Sequence, residues 1–306
     1  MTSIIICSRK SEVSLELKES ISSTIGVDFE IVVIDNSHNK YSIFEAYNLG
    51  AKRATNPYLC FIHENVSFSN STFGWGRLLE NKLSDKKVGV VGVAGSDIVT
   101  RIPAPWSSYR FGKRMNIFQG KKGDDGILKF EKRLLPRDIN EEFLPVVLLD
   151  GVFLAMRKDI LSKISFDETL LGFHGYDFDI SLQSHVYGYD NYVMYKSLQL
   201  THYSLGNINK DYYENLIKVF RKFESYLPIL VGLTAQKECD INAIELKQIR
   251  RFSLNLMKSK FSKNDVICQL KYYVRLLKMP RHIYILLYLY LSVVYFFRFK
   301  YKKQSD

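Results

Sequence analysis

Four β-branched apolar runs, most of which stop abruptly at polar residues, constrain this chain more than any other feature. "SIIICS" (Ser3 to Ser8) ends on a serine. "FEIVVIDNS" (Phe29 to Ser37) ends on Asp35-Asn36-Ser37, "YLCFI" runs into His63-Glu64-Asn65, and "KVGVVGVAG" (Lys87 to Gly95) is the fourth. Continuous apolar runs of this length read as strands buried on both faces, as in parallel sheets. Helical patterns separate them. Residues 11 to 24 set Leu15 and Leu17 on a polar background, and "SIFEAYNLGAKRA" (Ser42 to Ala54) opens with Ser42 three residues before Glu45, a capping box. Strand and helix in alternation predict an α/β chain whose mostly parallel sheet is flanked by helices. The polar tips then converge on the carboxyl edge of the sheet, where open α/β proteins keep their ligands.

The pattern breaks between Ser96 and Leu144. Pro103, Pro105 and "GKKGDDG" (Gly120 to Gly126) predict a long loop or a hairpin insertion there. Regular structure resumes at "FLPVVLLDGVFLAMRKDIL", read as a strand to Leu149, a turn at Asp150-Gly151 and a strand ending near Arg157. "YENLIKVFRKFESYL" (Tyr213 to Leu227) is an amphipathic helix, and residues 241 to 278 form two basic helices broken near Ser262 to Asn264. "HIYILLYLYLSVVYFF" (His282 to Phe297) is apolar throughout, with Lys278 and Arg281 before it and Arg298, Lys300, Lys302 and Lys303 after it. It falls short of the roughly 20 residues a membrane span needs. Its tyrosines and basic flanks suit a headgroup region, while a helix apolar all round also suits a core or a dimer; interfacial association, dimerisation and a short span all stay open. The expected division is 1–228 for the α/β domain and 229–306 for an all-helical C-terminal region.

Composition narrows the function classes. A charged fraction of 25% and a hydrophobic fraction of 46% describe a folded globular chain. The net charge of +11 implies acidic partners: nucleotide phosphates, anionic lipids or nucleic acid. Nucleic acid is disfavoured, because no helix-turn-helix, zinc-finger or RNP signature is present. Cys7, Cys60, Cys239 and Cys268 form no CxxC pair, so reduced, buried thiols in a cytoplasmic protein are expected. No basic n-region precedes the first apolar run, so no signal peptide is expected.

The densest chemistry lies in "LLDGVFLAMRKDILSKISFDETLLGFHGYDFDISLQSHVYGYDNYVM". Asp177 and Asp179 stand where a helix begins, and exposed backbone N–H groups favour carboxylates there. Such a group serves as a general base or simply as a helix cap. The ordered series Ser8, "VVIDNS", "AYNLGAKRA", "CFIHENV", "LLDGVFLAMRKDI", "FDETLLGFHGYDFDISL" and "LTHYSLG", spanning residues 3 to 206, resembles a family 2-type glycosyltransferase of the GT-A fold. It is most similar to the bacterial branch typified by the streptomycin-biosynthesis protein StrF.

The resemblance implies a transfer of sugar from a nucleotide-diphospho-sugar to a hydroxyl of a bacterial surface-glycan acceptor, a glycan or a lipid-linked glycan, with inversion. It puts Ser8, Asp35, Asn36, Asn48, Arg53, His63 and Asp179 at the nucleotide-sugar. It makes Asp177 the base, with Asp150 touching donor or acceptor and Tyr176 standing where the family has another acid. A divalent cation, Mn²⁺ or Mg²⁺, is expected at Glu64, Asn65 and His202. Asn65 replaces the usual aspartate, so coordination through its amide, charge from Glu64, or a weakly held and dispensable metal all stay open. The expected setting is cytoplasmic and peripheral at the inner face of the membrane. A catalytically silent module that binds sugar nucleotide or scaffolds an assembly is the alternative.

Overall fold

In a computed structural model of the chain, which describes residues 1–109, 111–122, 128–203, 208–236 and 239–295, the first three apolar runs each become a strand, and the fourth, read as one strand, divides into two that join different sheets. The strands in chain order are β1 Thr2–Ser8, β2 Phe29–Asp35, β3 Tyr58–Ile62, β4 Val66–Ser67, β5 Val88–Gly92, β6 Ala94–Ser96, β7 Ile98–Val99 and β8 Lys113–Lys122. They continue with β9 Leu128–Leu135, β10 Phe143–Val146, β11 Leu148–Leu149, β12 Phe153–Arg157, β13 Asp190–Met194, β14 Leu200–His202 and β15 Ile229–Leu230. The helices are α1 Leu15–Ser22, α2 Ile43–Arg53, α3 Trp75–Ser84, α4 Tyr176–Val186, α5 Lys210–Lys222, α6 Gly232–Ala235, α7 Ile241–Lys258, α8 Lys263–Leu276 and α9 Arg281–Tyr295.

The central sheet has the order β10-β13-β5-β12-β3-β1-β2. Strands β1, β2, β3, β5 and β13 run one way, while β12 and β10 run against them. The mostly parallel α/β sheet read from the sequence is therefore present. The antiparallel strand β12 matters for function. Phe153 pairs with Ile62, so the Asp150-Gly151-Val152 turn before β12 lies at the same edge as the His63-Glu64-Asn65 tip after β3. A second sheet, β11-β6-β8-β14-β4 with β9 added to β8, holds the expected hairpin insertion. The tip of that hairpin, 123–127, is outside the described residues.

Helix α2 shows how a sequence signal becomes packing. Ser42 and Glu45 form both halves of the capping box. Gly50 is needed because a side chain there would put Cβ 2.3 Å from Ile5 of β1. Tyr47, one turn earlier, is fully buried against Phe61 and Phe166.

The chain divides into two units. The first comprises 1–99, 106–207 and 229–238; the second comprises 100–105, 208–228 and 239–306. The boundary expected at 228 is thus crossed by α5, which sorts with the C-terminal helices, and by β15, which pairs with β7 in the sheet unit. In the second unit α7 and α8 break at Ser262, which caps α8 in a box with Asp265. The four cysteines stand outside any disulfide, but only Cys60 is fully buried and Cys268 is exposed, which corrects the expectation of buried thiols. Among the described residues no helix is long and apolar enough to cross a membrane; Phe296, Phe297 and the basic residues after them are outside the described set.

Candidate active site

The tips of the first three parallel strands are tied to one another. Asn36 N–H donates to the Ser8 carbonyl at 2.7 Å, and Ser8 Oγ donates to Glu64 Oε2 at 2.6 Å. Arg9 N–H reaches the same Glu64 oxygen at 2.9 Å, and the Arg9 guanidinium lies 3.8 Å from the other. The Glu64 carboxylate is therefore spent on the first strand tip. The Asn36 amide is spent as well, donating to the Tyr41 carbonyl at 2.8 Å and accepting Tyr41 N–H at 2.9 Å. Asp35 is different. Its exposed carboxylate accepts Ser37 N–H at 2.9 Å, and that bond holds its pKa below the ordinary aspartate value.

Two expected nucleotide residues stand elsewhere. Asn48 binds the Phe166 carbonyl and Glu168 Oε1, each at 2.8 Å, so its amide fastens α2 to the 165–168 segment. Arg53 sits in the last turn of α2. That helix leaves the carboxyl edge and runs back about 16 Å over its length. Beyond it, Thr55 and Asn56 bond to Glu30 and to Thr2 and Ser3 at the amino ends of β2 and β1. Arg53 is therefore at the edge opposite the polar tips, and the "AYNLGAKRA" pattern here works as packing and tethering.

Around the β12 turn the carboxylates gather. Asp150 Oδ2 accepts the Trp106 indole N–H at 2.7 Å and Oδ1 accepts Val152 N–H at 2.9 Å. Asp177, in the first turn of α4, accepts Gly151 N–H at 3.2 Å. Burial first, and the neighbouring Asp150 charge second, push the Asp177 carboxyl up to about 7, against the opposing pull of backbone N–H groups. Asp179 is fully buried and accepts Gln183 Nε2–H at 2.5 Å; the residue capping α4 is Gly175, in the left-handed region at φ 87°.

Tyr176, which stands where an acid was expected, links the two tips. Its Oη lies 3.0 Å from the Gly151 carbonyl oxygen and 2.8 Å from His63 Nε2. A hydroxyl has one proton and a carbonyl only accepts. Tyr176 therefore donates to Gly151 and accepts Nε2–H from His63. Burial and the adjacent His202 push the His63 pKa below its ordinary value, which favours a neutral ring, protonated on Nε2 by the bond to Tyr176, with Nδ1 left as an acceptor. Gly151 is required for this contact, because a Cβ there would meet Tyr176 Oη at 2.2 Å. The tyrosine ring is held by Phe44, Tyr47 and Phe166.

His202 stands 5.6 Å from His63, ring centre to ring centre. Its Nδ1 is 3.4 Å from Gln119 Oε1, and its Nε2 is buried with no hydrogen-bond partner. That atom is an available metal donor, but the rest of the expected set does not fit a hard cation. Glu64 is committed to Ser8 and Arg9 and Asn65 carries no charge; the neighbouring Asp150, outside that set, already holds a donor on each oxygen. Among the described residues no three His, Cys, Asp or Glu side chains are gathered to hold a metal. The residues 204–206 of the "LTHYSLG" motif are outside the described set.

Arg9, Trp106 and the bridging role of Tyr176 are absent from the expectations. Arg9 had a signal, a cation immediately after a strand-tip serine, with Lys10 beside it.

Comparison with known proteins follows the same outline. No curated protein sequence matches the chain significantly. Among solved structures, S. aureus TarS 1–349 superposes with a TM-score of 0.52 at 14% identity, covering 92% of this chain and 82% of that one. TarS 1–349 in complex with UDP-GlcNAc gives 0.50 at the same identity and coverage. The longer TarS chain gives 0.51 at 14% identity, and this chain spans 50% of it against 92% of its own length. At such identity the likeness speaks for the fold alone, and the fold is GT-A. The model of the family described as "Glycosyltransferase like family" matches residues 3–226, which hold every strand tip described above. A glycosyltransferase sheet, its loops and its carboxylates are thus all within the matched segment, and the chain belongs to that glycosyltransferase family.

Proposed function

We propose that this transferase moves a sugar from a nucleotide-diphospho-sugar to a hydroxyl of a bacterial surface-glycan acceptor, with inversion, and that Asp177 is its general base. The observation that carries this is the placement of Asp177 and Asp150 on either side of Gly151 at the ligand edge of the sheet. A base works best when its pKa lies near the operating pH, and Asp177 is held near 7. In the step itself, Asp177 takes the proton of the acceptor hydroxyl. The freed oxygen bonds to the anomeric carbon, the bond from that carbon to the phosphate oxygen breaks, and the nucleoside diphosphate leaves with the electron pair. Trp106 fixes Asp150 beside the reacting groups, and neutral His63 offers Nδ1 as a hydrogen-bond acceptor.

Asp35, with its exposed carboxylate, accepts from a base N–H or a ribose hydroxyl, while Asn36 shapes the turn behind it. Arg9 and Lys10 at the first strand tip offset the diphosphate charge, a role for which the Glu64, Asn65 and His202 set is poorly built. The similarity to the StrF-like branch rests on the motif order. The chain works peripherally at the inner membrane face. A silent sugar-nucleotide-binding module is the second reading, favoured by the diversion of Glu64 to Ser8 and Arg9. Release of nucleoside diphosphate from a panel of UDP-, GDP- and dTDP-sugars separates the two: turnover abolished by Asp177→Asn supports the transferase, and tight binding without turnover supports the module.

A further inference from the structure

Helix α9 has two apolar faces. Leu287 and Leu291 are buried on one side, toward its contacts with α7 and α8. Ile285, Leu286, Leu289 and Val293 are 47%, 61%, 54% and 54% exposed. At 3.6 residues per turn these four fall within about 100° of arc, opposite the buried pair. Four large aliphatic side chains on one uninterrupted helical face are more than the scattered surface apolar residues of an ordinary domain.

The surrounding charge selects the occupant. From 241 to 281 ten Lys and Arg stand against two acids, Glu245 and Asp265. A second copy of the chain would bring the same cations against these, and like-charge juxtaposition opposes docking. An anionic bilayer complements them. Tyr288 and Tyr290 are half-buried and flank the apolar arc, and Tyr290 Oη accepts from Arg250 at 3.0 Å. Tyrosines in that position suit the headgroup level. The fifteen described residues of α9 cover about 22 Å, and the apolar run of the sequence closes at Phe297 before Arg298, fewer than the roughly 20 residues a span needs, which suits a helix lying in the interface.

We propose that α9 lies flat in the headgroup region of an anionic bilayer, with Ile285, Leu286, Leu289 and Val293 inserted and the basic residues of 241–281 against the lipid phosphates. This takes the peripheral placement proposed above to named side chains and is independent of the sugar chemistry. The test is sedimentation of the full chain with vesicles of phosphatidylcholine, alone or mixed equally with phosphatidylglycerol. Binding is expected to the anionic vesicles, weakened by high salt. Leu286→Ser and Leu289→Ser each lower the partition coefficient about tenfold, and Lys278→Gln and Arg281→Gln about fivefold each. Both leucines are exposed, so helical circular dichroism stays unchanged. Failure to bind either vesicle, or binding that ignores Leu286→Ser and Leu289→Ser, overturns the proposal. So does a dimer in light scattering that the same leucine variants dissolve, which would assign the face to a second copy.

Discussion

Replacing Asp177 with asparagine removes one charge at nearly constant shape, and the structure fixes what should follow. A carboxyl held at about 7 in the folded chain, against 3.8 ordinarily, keeps its proton while the unfolded chain loses one. Its contribution to stability is complete below the ordinary value and is lost as pH rises toward 7. The full shift corresponds to about 4 kcal/mol. Asp177 keeps part of its surface in solvent, so roughly half, about 2 kcal/mol, is the expected effect. Asp177→Asn should therefore match the parent chain near pH 4 and exceed its stability by about 2 kcal/mol above pH 7. Urea unfolding followed by tryptophan fluorescence reads this directly, because Trp75 and Trp106 are both buried in the sheet unit. Turnover should fall by a factor of about 10² to 10⁴, the usual contribution of a general base. In the parent enzyme the rate should rise with pH and level off above 7, as Asp177 ionises. A stability difference that is flat from pH 4 to 8 would show that the carboxyl is not held near neutrality. Turnover within a factor of about ten of the parent would remove Asp177 as the base.

Other perturbations test the links around it. Tyr176→Phe keeps the ring packing but leaves the Gly151 carbonyl and His63 Nε2 without a partner, at a cost of about 1–3 kcal/mol; nitrogen NMR of labelled histidine should show His63 leaving its single Nε2-protonated form, and an unchanged tautomer would refute the bridge. Gly151→Ala drives a methyl into Tyr176 Oη and its ring edge and should destabilise by about 1–3 kcal/mol, relieved in the double variant with Tyr176→Ala; a fully additive pair would refute the contact. Arg9→Gln should weaken nucleoside diphosphate binding about tenfold or more while leaving nucleoside binding unchanged, and equal loss for both would deny Arg9 a phosphate.

How much of this was legible in the sequence depends on the range of the interaction involved. The strands and their polar tips follow from local apolar runs, and the Ser42–Glu45 and Ser262–Asp265 caps are interactions over three residues. Partners far along the chain leave no such trace. Glu64 looks like a ligand until it is seen turning to Ser8, 56 residues away. Tyr176 reads as a lost acid because its partner His63 is 113 residues distant. Gly50 and Asn48 sit in a pattern suggestive of a nucleotide pocket, yet the demand on them comes from Ile5 and Phe166, which only the tertiary packing reveals. The reassignment of α5 to the helical unit has the same origin, since its amphipathic pattern shows that it packs but not against what.

Calorimetric titration of the full chain with UDP, GDP and dTDP, each with and without Mn²⁺, tests the central claim most directly. Saturable binding of one nucleoside diphosphate is expected, with an affinity unaffected by Mn²⁺, because the cationic first strand tip and not the Glu64-Asn65 edge meets the phosphates. Silence with all three nucleotides in both conditions would contradict a nucleotide-sugar site at this edge, and binding that appears only with Mn²⁺ would contradict its proposed charge balance.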